Sequence, residues 1–233
     1  MEIRGLVEVG SFIWWLGCAI LAFLALFLFL LAPRKGNPIF DRWLSALGWI
    51  IFLNMVWNYV MLLSEGRFTV AESLPLHMCG FSELLLFAYL TCKQDWAFPI
   101  VVFWGPLGSI QAILTPALNI LTPGHILQFY LAHSAAVVVP IYLMVHGGRR
   151  IPRNAFWCIF VITNAVGLAM IGINAVLGSN YWFVNRYPPV DPFYHRLIRL
   201  EWPYYLMEFE VVLIISLFLF RLIFGKFMEP GTQ

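Results

Sequence analysis

The sequence predicts an all-α, polytopic membrane protein built as a seven-transmembrane-helix bundle. Composition is the first observation behind that expectation. The chain of 233 residues is 61% hydrophobic and 11% charged, whereas a soluble domain carries about a quarter charged residues. The second is run length: the apolar residues fall into stretches near the roughly 20 residues a span needs. The third is punctuation, since most of the runs are joined by short polar links that hold Lys and Arg.

The first run, 11–32, ends in Pro33-Arg34-Lys35 with no small-residue cleavage site before it, so it reads as an anchoring helix rather than a removed signal peptide. The second, 43–63, carries Asn54 and Asn58, four apart and on one face. The third, 76–92, is the least apolar, because His77, Cys79 and Glu83 dilute it. In it Cys79, Ser82 and Glu83 form one stripe, while His77 points elsewhere. The fourth, 96–117, carries Gln111 and Thr115 late in its course. The fifth, 126–146, carries His133 and Ser134 about two turns in. In the sixth, 155–178, Thr163, Gly167 and Asn174 share a face. The seventh, 203–225, opens after Pro203 with Glu208 and, nearly opposite it, Glu210. The seven runs are expected to form one domain over 1–233, in which the terminal Gly231-Thr232-Gln233 carries no weight.

Basic residues orient the chain. With the N-terminus outside, the inner segments hold Arg34, Lys35, Arg42, Lys93, Arg149, Arg150, Arg153, Arg221 and Lys226. The outer ones hold the smaller set Arg4, Arg67, Arg186, Arg196 and Arg199. The expectation is a multi-pass protein of the cell membrane, N-terminus outside and C-terminus cytoplasmic. Threaded this way, Asn58, His77, Cys79, Glu83, Gln111, His133, Asn174 and Glu208 all fall in the outer half of the bilayer. An ionisable residue within a span is costly, so it points to function by default. Interhelical hydrogen-bond glue is the plainer account of the Asn, Gln, Ser and Thr positions, and a small buried hydrophobe that of Cys79. His77, His133, Glu83 and Glu208 fit those accounts less well.

Three chemistries suit such a pocket. In acyl transfer a thiol attacks once an imidazole takes its proton, with Cys79 as nucleophile, His133 as base, and Glu83 or Glu208 orienting or stabilising it. A metal site would draw on the same His, Cys and Glu side chains, but no tight ligand spacing is present, and neither a metal nor a cofactor is expected. The third chemistry is ligand binding or transport by a non-enzymatic receptor or small-solute carrier. His77, Asn58, Gln111 and Asn174 would contact the substrate. The long sixth loop, with Tyr181, Trp182 and Phe183 followed by Arg186, Arg196 and Arg199, reads as an interfacial aromatic belt or as a lid. In the lid, Arg186 and Arg196 would engage lipid phosphate. The four cysteines form no CxxC and are expected as free thiols. A net charge of +2 without a basic run gives no reason to expect nucleic acid.

The stretch Leu74-Pro75-Leu76-His77-Met78-Cys79 resembles the LPLHxC motif of YwaF-like bacterial integral membrane proteins. Gly105-Pro106-Leu107-Gly108-Ser109, Thr115-Pro116, His133 and Gly178-Ser179-Asn180-Tyr181 extend the resemblance over nearly the whole chain. That family is similar to animal transmembrane protein 164, described as a Cys- and His-dependent acyltransferase acting on phospholipids. The resemblance implies seven helices, a membrane lipid as substrate or ligand, His133 at the catalytic His and Cys79 as the nucleophile. The oligomeric state stays open.

Overall fold

The computed structural model describes residues 7–116, 118, 122–186 and 200–229. Seven α-helices are present among the described residues, and the chain divides into two compact units, 1–67 with 78–150, and 68–77 with 151–233.

The first unit holds α1 (Phe12–Leu26), α2 (Phe40–Ser64), α3 (Met78–Leu90), α4 (Ala97–Leu114) and α5 (Pro123–Val145). Ser11 starts α1 by accepting from the Trp14 amide at 3.3 Å, and the helix runs on into a π-helical turn over Phe27–Leu31. Thr122 caps α5, and Pro123 sits in its first turn, where its missing N–H costs nothing. Helix α5 is the axis of this unit. Its most apolar stretch is 78% buried, against 11% for α1, and α1, α2, α3 and α4 all pack on it. An apolar helix that is buried on nearly every side belongs at the centre, whereas α1 turns Phe12, Trp15 and Phe23 outward, as a lipid-facing helix does. Small residues let the backbones close up. A Cβ on Gly105 would strike the Ala136 carbonyl oxygen, and one on Gly17 would strike the Tyr130 ring. Single bonds then pin the helix ends. Trp14 Nε1 donates to the Leu114 carbonyl at 2.9 Å, the Lys35 amide to the His146 carbonyl at 2.9 Å, and the Tyr142 hydroxyl to the Pro33 carbonyl.

The second unit holds α6 (Ala155–Leu177) and α7 (Tyr205–Phe224). Gly178 ends α6 at φ +64, the left-handed conformation that glycine adopts without a Cβ penalty. A 3₁₀ turn, Tyr181–Phe183, follows, with Trp182 and Phe183 at φ 59 and 54. Such angles are costly in non-glycine residues and persist only where the surroundings impose them. Here the Tyr181 hydroxyl accepts from the Leu74 amide at 2.9 Å and donates to the Val70 carbonyl at 2.7 Å. Trp182 Nε1 donates to the Leu76 carbonyl at 2.7 Å. The start of α6 and the end of α7 meet where the Ile151 amide donates to the Phe227 carbonyl at 2.9 Å. Ile151 and Met228 are thereby the sole extended pairing among the described residues, which contain no strand.

The all-helical, multi-pass character expected from the sequence holds. Five helices, Phe12–Leu31, Phe40–Ser64, Ala97–Leu114, Pro123–Val145 and Ala155–Leu177, are long and apolar enough to cross a membrane. Helix α3 has 13 residues and begins at Met78, so His77 lies in the turn before it rather than in its first turn. Helix α7 has 20 residues but carries Glu208, Glu210 and Arg221.

Candidate intramembrane site

The first unit gathers polar side chains on α3, α4 and α5, which pack on one another. Cys79 is the second residue of α3 and half-buried. Glu83, one turn on, is 7% exposed and leaves its Oε2 buried without a partner. Ser82 is spent locally, its hydroxyl donating to the Met78 carbonyl at 2.8 Å. On α4, Ser109 is fully buried, and its Oγ has no partner. On α5, Ser134 is likewise buried and unpartnered, next to His133 at 8% exposure.

Depth is set by two glycine contacts. A Cβ on Gly108 would lie 3.3 Å from Met78 Cβ and 3.5 Å from the Cys79 amide nitrogen, so Cys79 and Gly108 are level. Gly105 meets Ala136. Helices α4 and α5 are consecutive and run in opposite directions. One turn onward from Gly105 to Gly108 and Ser109 therefore matches one turn back from Ala136 to His133. Cys79, Ser109 and His133 thus occupy one level to within about a turn, or 5.4 Å.

The His133 ring has a defined tautomer. Its Nδ1 lies 2.7 Å from the Phe129 carbonyl, which only accepts, so Nδ1 carries the hydrogen and Nε2 of the neutral ring is left as an acceptor. Phe129 stacks on the same ring at 4.1 Å between centroids and restricts its rotation. The remaining first-unit residues are placed less centrally. Asn58 is half-buried, and Gln111 is exposed. Asn54 is a clamp, its Nδ2 donating to the Gln128 carbonyl at 3.3 Å.

The other expected site residues lie in the second unit. His77 packs against the rings of Tyr181 and Phe183 at 4.9 and 5.5 Å. Asn174 is 1% exposed and uses every hydrogen-bonding group it has. Its Nδ2 donates to the Tyr181 carbonyl and to Asn185 Oδ1, both at 2.9 Å. Its Oδ1 accepts from Ser179 Oγ at 2.7 Å and from the Tyr181 amide at 2.8 Å. Arg186 donates to the Gly178 and Ser179 carbonyls at 3.1 and 3.2 Å, where a cation also complements the C-terminus of α6. Glu208 accepts from the Leu200 amide at 3.4 Å. Arg196 and Arg199 lie outside the described residues, as does Arg4. All four cysteines are free thiols. Among the described residues, no three His, Cys, Asp or Glu side chains come together as a metal site.

A model of the TMEM164 family matches residues 8–221, from just before α1 to the last turn of α7. The chain belongs to this family. It is also similar to an uncharacterized protein of Treponema pallidum (strain Nichols), with 26% identity over 148 residues, or 60% of this chain. The aligned part spans 58% of that relative's length. No solved structure matches.

Gly105 and Gly108 gain a physical role here, since they set the approach of α4 to α5 and α3. Ser109 and Ser134 were not among the expected site residues. A serine in a span is ordinary helix glue, and only the absence of any partner marks these two. The Glu210–Asn164 pair, at 3.2 Å within the second unit, was also unforeseen, because Glu210 is placed opposite Glu208 by helical spacing alone.

Proposed function

We propose that the chain is a membrane-embedded lipid acyltransferase in which Cys79 carries the acyl group and His133 moves the proton. The observation that supports this reading is the His133 tautomer, with Nδ1 committed to the Phe129 carbonyl and Nε2 left to accept, on the level of Cys79. A base oriented in this way is what an acyl-transferring thiol requires. Cys79 Sγ attacks the ester carbonyl of a lipid as its proton passes to His133 Nε2. The C–O bond breaks, and His133 returns the proton to the leaving alcohol oxygen, which leaves a thioester on Cys79. An acceptor hydroxyl then attacks the thioester. His133 takes the hydroxyl proton and delivers it to the departing sulfur. Negative charge developing at Sγ meets the positive end of the α3 macrodipole. Ser109 and Ser134, whose hydroxyls are buried without a partner, have them available to the reacting groups, as does Glu83 its Oε2, one turn on from Cys79.

The test uses the full chain in nanodiscs holding a lipid with an isotopically labelled acyl chain. A hydroxylamine-labile label on Cys79 is expected. Cys79→Ser should hold no such label while remaining folded, and His133→Ala should slow transfer by at least about 10²-fold, the low end for a general base. Full turnover by Cys79→Ala overturns the reading.

A second reading, a small-solute carrier, is favoured by one observation. Asn164 Nδ2 holds the Glu210 carboxylate at 3.2 Å, well inside α6 and α7. On that reading Glu210→Gln stops solute uptake into proteoliposomes, and Cys79→Ala leaves it intact.

The same proposal includes seven crossings, with the N-terminus outside and the C-terminus cytoplasmic, in the cell membrane. The pins between helix ends and the Lys and Arg bias support it.

A further inference from the structure

At the far end of the first unit from Cys79, two loops enclose a polar cleft of about 410 Å³. It is lined by Lys35, Gly36, Asn37, Pro38, Phe40, Asp41, Gly147 and Arg149. The loops follow α1 and α5, and they are fixed to each other by the Lys35 amide on the His146 carbonyl at 2.9 Å and the Tyr142 hydroxyl on the Pro33 carbonyl. Gly148, at φ +63, carries the Lys35 side chain. A Cβ there would lie 3.1 Å from Lys35 Cδ and 3.6 Å from Nζ. Arg149 is held over the Tyr89 ring at 5.4 Å and pairs with the exposed Asp95 at 3.7 Å. An exposed pair of that kind contributes little, so the guanidinium has capacity for a second anion.

The surroundings are net positive, with Arg34 next to Lys35, Arg42 next to Asp41 and Arg150 next to Arg149 in the chain. The imidazole of His146, beside Gly147 of the cleft, is held below its ordinary value by burial first and then by the Arg34 charge. The cleft opens where the long apolar helices α1 and α5 end and α2 begins. That is the depth of lipid phosphate in a bilayer. Asp41 stands on the opposite wall and disfavours a bare anion, but it matches a headgroup that carries a donor.

We propose that this cleft binds the headgroup of a membrane phospholipid, its phosphate on Lys35 and Arg149 and its hydroxyl or ammonium donor on Asp41. The site is separate from the acyl-transfer reading and stands or falls without it. The lipid here is a bound ligand, not the acyl donor.

Purified full-length protein in detergent is titrated with phosphatylglycerol, phosphatidylethanolamine or phosphatidylcholine, and retained lipid is counted by native mass spectrometry. The glycerol and ethanolamine lipids should be retained about tenfold more than choline lipid, which has no donor. The Lys35→Gln, Arg149→Gln double variant should lose about tenfold in retention of the first two. Asp41→Leu, which removes the acceptor and leaves both cations in place, should keep phosphate affinity and lose the preference over choline. Equal retention of all three lipids by the wild type overturns the proposal. So does an unchanged preference in Asp41→Leu, which decides the matter if the double variant fails to fold. Inorganic phosphate is the third arm. If it raises the melting temperature and competes lipid away at millimolar concentration, the ligand is free phosphate and the headgroup assignment falls.

Discussion

Asn174 and His133 are both polar residues within spans, and their surroundings give them different work. Asn174 satisfies two donors and both acceptor sites of its amide within the second unit. It therefore holds the turn after α6 and has nothing left for a ligand. Its depth was legible from the sequence. Its partners were not, since Ser179, Tyr181 and Asn185 all lie beyond the end of the helix that carries it. Removing the amide leaves several buried groups unpaired, at about 1–3 kcal/mol for each unsatisfied group. Asn174→Ala is expected to destabilise the protein by about 2–4 kcal/mol on that scale, read as a fall in melting temperature in detergent. A melting temperature equal to wild type would show the network to be dispensable. His133, Glu83, Ser109 and Ser134 differ in kind: each is buried, Nδ1 of His133 is held by the Phe129 carbonyl so that Nε2 is left as an acceptor, and Oε2 of Glu83 and the two hydroxyl oxygens have no hydrogen-bond partner among the described residues. Sequence could single out His133 and Glu83 by cost alone. The two serines needed the structure, because an accepted hydrogen bond and an orphaned one look the same in a string of letters.

At the scale of the helix, run length and punctuation carried most of the information. All seven runs became helices within a few residues of the expected bounds, the first with its π-helical turn included. The third is the shortest and leaves His77 outside it, for a physical reason. The backbone before Met78 is drawn into side-chain hydrogen bonds, with Leu74 and Leu76 held by Tyr181 and Trp182, so the helix begins only once those ties end. Close approach of helices was also hidden, since glycine at a contact and glycine facing lipid read alike. Gly105 and Gly167 make a matched pair for testing this. A methyl at Gly105 meets the Ala136 carbonyl, whereas nothing lies within 4 Å of one at Gly167. Gly105→Ala is expected to cost about 1–3 kcal/mol, as overpacking does. Gly167→Ala should be neutral or add roughly 0.5–1 kcal/mol from the better helix propensity of alanine. Melting curves of the two variants check the contrast, and a harmless Gly105→Ala would remove the depth register on which Cys79 and His133 are placed together.

At the scale of the molecule, the pins between helix ends constrain topology independently of charge. The bilayer core is about 30 Å thick, so two backbone groups in hydrogen-bond contact at span ends lie on one side of it. Lys35, after α1, is bonded to His146, after α5, so the four helices α2 to α5 make an even number of crossings. Trp14, opening α1, is bonded to Leu114, closing α4, and gives the same parity for α1 to α4. Helices α1, α2, α4 and α5 are long and apolar enough to cross. If those four cross, as proposed, parity asks α3 to cross as well, although 13 residues at 1.5 Å each span only about 20 Å. The rest of the thickness falls to the non-helical turn before Met78, and irregular backbone is tolerated at such depth when protein covers it. Ile151 bonded to Phe227 ties α6 to α7 in the same way, so on the proposed topology the charged α7 crosses with the apolar α6. The proposed seven crossings would put the termini on opposite sides, and the Lys and Arg bias would select which. A reporter active only in the cytoplasm should therefore work when fused after Lys226 or Arg149 and fail at Arg67. Activity at Arg67 with silence after Arg149 would invert the orientation and keep the parity. Activity at both Arg67 and Arg149 would break the parity itself, and with it the case that α3 carries Cys79 through the membrane.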